Sequence, residues 1–396
     1  MALSNFQEKF DNQYQEVFLK KTVAKEVMNS RFESNLKYGE SVERFAYNID
    51  NVVVRTVARG SASVIDVVTD TTELLTINLE REVSFHISDG EMKQAGPLNP
   101  AEVIGAKTGE KVSIDLDARC FGEVVNALHD FDNGDLTGTA STGVGITLNA
   151  TTVPQLTSRM SAKLTRRNNI STASNMVMVV DSYAAADIEQ YLMGKNIDLA
   201  GAVFQNGFAG DIRGAMLYVS ENLTGEIVLT GTGVFTGGEV VVVNGITFTA
   251  VAAIGTTPGN FLIGANLAAS LTNLAGLINA PSTTNATQVA LSTADAGVLA
   301  GNWTAVATAT TLTAVLVGSG RPIVSETTAN ASFTTAIFHA YYGKKGAIDL
   351  VMQDMQTAEM RPTSDRRGTN IFASYLAGLK SFQDGRRKFL DVLINA

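Results

Sequence analysis

Asn99-Pro-Ala-Glu102 carries the marks of a helix N-terminus: a capping asparagine, proline at the first helical position and glutamate at the third. Ile104, Val112, Leu116, Cys120, Val124 and Leu128 follow at multiples of four, widened by Phe121 and Val125. His129 and the turn Asp130-Phe-Asp-Asn-Gly-Asp135 stop the pattern. The spacing predicts one long helix with a single apolar stripe, weakened near its start by Gly105 and Gly109. Such a stripe must be covered, so the rest of the chain has to supply a core beside it.

What precedes the helix has a different period. From Ala46 to Ser88 the pattern is that of strands: Asn51-Val-Val-Val-Arg-Thr-Val-Ala58, a turn at Arg59-Gly-Ser61, then Val64 to Val68, Leu74 to Leu79 and Val83 to Ile87. This predicts a long hairpin-like excursion with little core of its own. Residues 1–45 read as an arm, with Phe6, Phe10, Tyr14, Val17 and Phe18 at helical spacing before the polar stretch Asn35 to Ser41.

Beyond the helix, the Gly/Thr-rich stretch Leu136 to Asn149 leads to a second helix capped near Thr152 and Pro154, with Leu156, Met160 and Leu164 on one face. Met176-Val-Met-Val-Val180 is a buried strand, and Asp181-Ser182 caps a helix carrying Tyr183, Ile188 and Leu192. Gly207, Gly210 and Gly214 supply tight turns between short strands.

Between Thr224 and Ser332 charged residues nearly vanish and Thr, Ala, Gly, Asn and Val dominate, which marks a domain boundary. Glu239 to Ala250 reads as a hairpin around Asn244-Gly245, Leu267 to Ile278 as a helix, and Gln288 to Leu291 and Trp303 to Val317 as strands. The stretch is expected to form a small α+β domain. From Ile337 the chain reads as strands again, including Asn370 to Lys380 and, after the turn Gln383-Asp-Gly385, Lys388 to Ile394. Their expected partners lie in the 176–222 unit, so the insert would interrupt one domain.

The chemistry that the composition excludes is broad. With 45% hydrophobic and 17% charged residues the chain is too apolar for disorder, yet no run reaches the roughly 18 apolar residues of a membrane span. The N-terminus lacks the apolar core of a secretory signal, so export by that route is not expected. A net charge of -9 argues against broad electrostatic capture of nucleic acid. The single Cys120 falls on the helix stripe and reads as an inert core thiol. His86, His129 and His339 have no metal-ligand spacing, and Asp130 to Asp135 departs from a calcium loop because its glycine comes one position early and position twelve is Ser141. Gly231-Thr-Gly233 and Gly237-Gly238 lack the rest of a phosphate loop and read as turns. No catalytic residue, metal or cofactor is expected. Arg166-Arg167, Arg366-Arg367 and Arg386-Arg387-Lys388 can face DNA, a neighbour's carboxylates or solvent.

This order of parts resembles the major capsid proteins of tailed bacteriophages, whose shell fold also forms the herpesvirus capsid floor. The local wording is similar too: Ser41-Val-Glu-Arg-Phe45, Leu75-Thr-Ile-Asn-Leu79 leading to Val83-Ser-Phe-His-Ile-Ser-Asp-Gly-Glu91, Asp115-Leu-Asp117, and Asn206-Gly-Phe-Ala-Gly-Asp-Ile-Arg-Gly214 before Leu217 to Leu223. The resemblance implies an α+β fold with an N-terminal arm (1–45), an extended β-hairpin loop (46–95), a peripheral domain with a long spine helix (96–170) and a mixed α/β axial domain (171–223 and 333–396). Residues 224–332 resemble a small module inserted in several phage structural proteins, through Val242 to Ala250, Gly259 to Gly264 and Leu271 to Asn279. Decoration, bracing and host contact all remain open as its role.

On this resemblance the chain self-assembles into hexamers and pentamers of an icosahedral head, built in the host bacterial cytoplasm, that encloses double-stranded DNA without sequence-specific binding. Its partners would be further copies of itself, a portal, and scaffolding or decoration proteins, with no membrane. A long cleaved scaffold segment within the chain is not expected. Phe6, Phe10 and Phe18 of the arm are expected to be buried against another subunit or under the spine helix. Val53, Val54 and Val57 are expected to lie across a neighbour, and Arg59, Arg366 and Arg367 join them as candidate contacts. Some shells of this fold crosslink through a loop lysine, but the stretch Asn51 to Asn78 has none, so a non-covalent shell is expected. The rival readings are a tail-tube protein or a surface adhesin, suggested by the Thr/Gly-rich strands of the insert; neither needs a long capped helix after a coreless hairpin.

Overall fold

A computed structural model describes residues 9–17, 22–30, 41–48, 52–57, 59–60, 62, 64–88, 90, 100–140, 142–168, 170–172, 174–193, 208–212, 214–362 and 367–396. The first half contains helices α1 (9–17) and α2 (Ala24–Val27), strands β1 (Ser41–Asn48) and β2 (Thr69–Ser88), and the long helix α3 (Pro100–Gly122). It continues with β3 (Asp130–Phe131), α4 (Asn133–Thr137), α5 (Thr152–Asn168), β4 (Met176–Val180), α6 (Ser182–Met193), β5 (Phe208–Ile212) and β6 (Ala215–Val219). The second half comprises β7 (Thr224–Gly231), β8 (Val240–Val243), β9 (Ile246–Val251), β10 (Asn260–Leu262), α7 (Leu267–Asn279), α8 (Thr293–Leu299), β11 (Trp303–Ala307) and β12 (Thr311–Leu316). It ends with β13 (Val324–Glu326), β14 (Ala331–Lys344), β15 (Asp349–Pro362), β16 (Gly368–Lys380), α9 (Gln383–Arg386) and β17 (Phe389–Asn395).

The α3 stripe does what its spacing predicts: Val112, Leu116, Cys120, Phe121 and Val124 are buried against Leu156, Met160 and Leu164 of α5, the wholly buried β4, and Phe389 and Val392 of β17. The helix stops earlier than its pattern. A 3-10 turn over Glu123–Asn126 follows Gly122 and tightens the winding to about three residues per turn, which rotates Val125 and Leu128 out to the surface. The Asp130 turn is a structure of its own. β3 pairs in parallel with β17, and Asp132 caps α4 in a capping box with Asp135 while also accepting from the amides of Thr142 and Gly143.

Three of the strand readings are corrected here. Leu74–Leu79 and Val83–Ile87 belong to one continuous β2, because Glu80-Arg81-Glu82 keep the period of two and Arg81, on the face of Leu79 and Val83, is satisfied by Asp115 of α3 at 2.9 Å. Gln288–Leu291 makes only an isolated bridge to Phe261. The third is β16: its partners are β15 and β2, from Ser88↔Gly368 to Ile77↔Gly378, not the 176–222 unit. β14 does pair with β4 as expected, and Asn244-Gly245 turns with both residues at positive φ (49° and 80°), the geometry of a type I′ hairpin.

A second core holds Ile227, Leu229, Phe248, Leu271, Leu274, Trp303 and Leu312. It is not set apart by the backbone. One sheet runs β11-β12-β7-β14-β4-β6-β5, and β14 serves both cores: Ala331 and Phe333 pair with β7 in the second, while Tyr341 to Lys344 pair with β4 in the first. The boundary read at 332/333 therefore falls inside a strand. Composition reports where charge vanishes, and a continuous strand can cross that line.

Asp181 ties the two parts together. It caps α6 by accepting from the Ala184 amide at 2.8 Å and pairs with Arg321 Nε at 2.8 Å. The Arg321 guanidinium in turn lies over the rings of Tyr183, at 5.4 Å, and Phe338, at 5.2 Å. Tyr183, read from sequence as part of the α6 apolar face, is an exposed platform for that cation. Asp181→Ala removes a cap worth about 1 kcal/mol and a charge-assisted bond worth about 1.5–3 kcal/mol. Urea unfolding is expected to show a loss of about 3 kcal/mol, and a loss below about 0.5 kcal/mol would mean that the pair adds nothing.

Candidate intersubunit surface

The excursion before α3 is built on a firm base. β1 and β2 pair antiparallel from Ser41↔Thr76 to Asn48↔Thr69, and β2 then runs on along β16. Leu75, Ile77, Val351 and Phe382 form a small core under it. Arg44 donates to Asp384 at 2.8 Å and lies over the Phe382 ring, and Glu73 accepts from the Gln383 amide at 2.7 Å.

Beyond that base the two legs, residues 52–57 and 64–68, adopt no sheet pairing, contrary to the strands read there. Asp66 joins them: it accepts from Arg55 Nη1 and Nη2 at 2.5 and 2.7 Å and from the Val53 amide at 3.0 Å. The Arg55 guanidinium holds the Asp66 carboxyl below the usual carboxylate range. Apart from Thr56, the remaining side chains of the two legs are apolar and bare. Val54 is fully exposed and Ile65 86% exposed, and Val52, Val53, Val57, Val64, Val67 and Val68 are exposed with them. Arg59 and Gly60, at φ +90°, sit in the exposed turn between the legs. An ion-paired protrusion covered in valine and isoleucine has no core among the described residues, and a surface of that kind needs a partner.

The fold therefore gathers Val53, Val54, Val57 and Arg59 into one protrusion. Arg367 is exposed at the opposite end of the β2–β16 ladder, next to the Gly368↔Ser88 pair, on the order of 60 Å along the strand at roughly 3.3 Å per residue. Phe6, Phe18 and Arg366 lie outside the described residues. Phe10 takes the second of the two seats expected for it, beside the spine helix rather than on a neighbour: it is fully buried in its own chain, stacked on Tyr14 at 6.0 Å and tilted against Phe85 at 6.1 Å. Its seat is Gly105, where a Cβ would stand 2.6 Å from the Phe10 carbonyl oxygen. The glycine that weakens the α3 pattern is what lets α1 lie against it.

Sequence reasoning missed the return leg's partner role for Asp66, although a lone acid in an otherwise apolar run, eleven residues after an arginine, was visible. It also missed Asp117. This α3 carboxyl is buried, which pushes its pKa up to about 7, and it accepts from the amides of Val23 and Ala24 at 3.0 and 2.9 Å, fixing α2 against α3. Cys120 is fully buried, and burial pushes its thiol well above the ordinary value. Among the described residues no group of three His, Cys, Asp or Glu is placed to hold a metal ion, and no helix is long and apolar enough to cross a membrane.

No protein-family model matches the sequence, and no curated protein matches it. Solved structures do. A chain from Mycobacterium phage Che8 superposes with a TM-score of 0.50 at 15% identity, covering 95% of this chain and 91% of that one. A chain from the capsid structure of the cyanophage P-SCSP1u gives 0.46 at 9% identity, over 95% and 89%. A chain of the virus-like particle from Pyrococcus furiosus gives 0.42 at 9% identity, over 98% and 98%. The likeness to the Che8 chain extends over nearly the whole length of both, so the fold is shared from end to end.

Proposed function

We propose that this chain, which has the fold of a tailed-phage capsid protein, is the major capsid protein of such a phage and closes into hexamers and pentamers of an icosahedral head around double-stranded DNA. The observation that carries the reading is the protrusion at residues 52–68: apolar, ion-paired, rigidly based and uncovered in its own chain. A ring or shell is made by heterologous contacts, in which each subunit presents one surface and receives another. A protrusion that is apolar, exposed and seated on a long ladder is suited to reach over the next subunit. Buried apolar area at about 25 cal/mol per Å2, repeated around a ring, supplies the driving force.

In this reading residues 1–45 are the arm, 46–95 the extended loop, 96–170 the peripheral domain with α3 as its spine, and 171–223 with 333–396 the axial domain. Residues 224–332 act as an inserted brace. Support for bracing comes from Arg119 of α3, which donates to the Gly301 carbonyl at 2.6 Å and to Asn302, and from Gly318, where a Cβ would stand 2.5 Å from that of Ala118. A unit held to the spine at two places stiffens it. The head would also hold a portal, with scaffolding or decoration proteins as further partners.

Electron microscopy of the purified protein, alone and with crude phage scaffold, tests the reading. Closed polyhedral shells or flat hexagonal sheets are expected. Stacked rings or tubes would point to a tail-tube protein, and a monomer under every condition would overturn any shell.

A further inference from the structure

The fold brings together basic stretches that are far apart in the sequence. At the end of α5, Asn168 Nδ2 donates to the Arg387 carbonyl at 2.7 Å. The Lys344 amide donates to the Lys388 carbonyl at 3.0 Å, and the Leu128 amide to the Arg386 carbonyl at 3.1 Å. The end of α5, Lys344 and the backbone of Arg386-Arg387-Lys388 are thus neighbours at one corner, with Arg386 Nε held by the Ser381 carbonyl and Lys388 by Asp384. His129 lies in the same field: burial, then the charges of Lys163 and Arg167, hold its pKa down.

The acids nearby are already engaged. Asp384 pairs with Arg44 and Lys388, and Asp135 with Lys163. Arg166 and Arg167 are exposed and make no ion pair among the described residues. From Leu136 to Val180 the chain has no Asp or Glu at all, although its net charge is -9. Beside Arg166 is an open groove of about 610 Å3, lined by Ser158, Ser161, Ala162, Thr165 and Arg166.

We propose that this corner is where the subunit meets the phosphate backbone of the enclosed duplex DNA; the proposal rests on the capsid reading above. Exposed guanidinium donors without aromatic anchors are the chemistry of phosphate contact, which positions a duplex without reading its sequence. A protein partner would call for a desolvated apolar or aromatic centre. The groove offers a guanidinium beside hydroxyls that are already bonded within the chain, and no apolar or aromatic centre. An acidic subunit with one basic corner contacts DNA there and repels it elsewhere, so the duplex is touched lightly and at a fixed place in each copy.

The experiment uses the full chain and a mixed-sequence duplex of roughly 30 base pairs, followed by fluorescence anisotropy between about 50 and about 200 mM salt. Arg166→Gln with Arg167→Gln is expected to weaken binding at least tenfold and to flatten the log–log salt slope by about 1.8, at about 0.9 for each phosphate that is no longer neutralised. Lys107→Gln with Lys111→Gln, an equal charge change on the exposed side of α3, is expected to leave both unchanged. Equal losses in the two variants, or no binding by the natural chain, overturn the proposal. So does poly-glutamate binding at the corner as tightly as DNA, which reassigns it to an acidic protein segment. Micrographs of each preparation separate the two readings: shells with DNA binding unaltered by the arginine changes sink this inference alone, and absence of shells sinks the capsid reading.

Discussion

Val54→Asp combined with Ile65→Asp is expected to leave the subunit folded and to stop it assembling. Both side chains are bare in the single chain, so neither change removes a contact that the fold uses, and the Arg55–Asp66 bridge that sets the two legs stays in place. In a shell each apolar side chain contributes about 1.5–3 kcal/mol by its burial. Two together amount to about 3–6 kcal/mol at each interface, before the cost of placing a carboxylate against apolar surface. At about 1.4 kcal/mol per factor of ten, the concentration needed for assembly rises at least about a hundredfold. Light scattering gives the assembly threshold and thermal unfolding the fold. Shells at the natural threshold would mean that the protrusion is not a contact, and a large fall in unfolding temperature would mean that it packs on its own chain.

His339→Ala is expected to cost about 3–5 kcal/mol, the usual loss when one partner of a buried ion pair is removed. The imidazole is buried in β14 with Nδ1 2.8 Å from Asp391 of β17 and Nε2 3.4 Å from Glu226 of β7. Burial disfavours the charged ring, but the two carboxylates outweigh it and raise its pKa to about 10. The imidazolium is therefore the native form at neutral pH, and it in turn opposes the burial that pushes Asp391 up. Because the folded chain binds this proton more tightly than the unfolded one, at an ordinary value near 6.5, the stabilisation is complete below about pH 6.5. It fades as pH rises through about 10. Urea unfolding of the natural chain between those limits is expected to show a falling limb that His339→Gln flattens. A profile unchanged by the substitution would refute the assignment.

Local signals were legible and distant ones were not. The α3 and α5 stripes, the buried β4 and the Asn244-Gly245 turn each depend on residues a few positions apart, and periodicity reports those directly. The β2–β16 ladder joins residues nearly three hundred positions apart, and no local pattern says which strand will flank which. The His339 cluster draws on three strands for the same reason. Gly105 shows a subtler failure: it looked like a flaw in a helix because its use is on the outside, where the backbone of Phe10 comes close. On the protrusion the run of valines suggested strands that do not pair, whereas the bridge that joins the legs needed the geometry.

The second core leaves and rejoins the sheet through neighbouring strands, with Gly231 opposite Ala331 in the β7–β14 register. Paired strands lie about 4.8 Å apart. The covalent path through residues 232–330 thus begins and ends one strand spacing apart, while β12, paired along β7, and Arg321, paired with Asp181, fasten it to the rest of the chain. Ends that close together mean that extra residues at an open turn of this path, such as the exposed Gly237-Gly238, would lengthen the loop without prying β7 from β14.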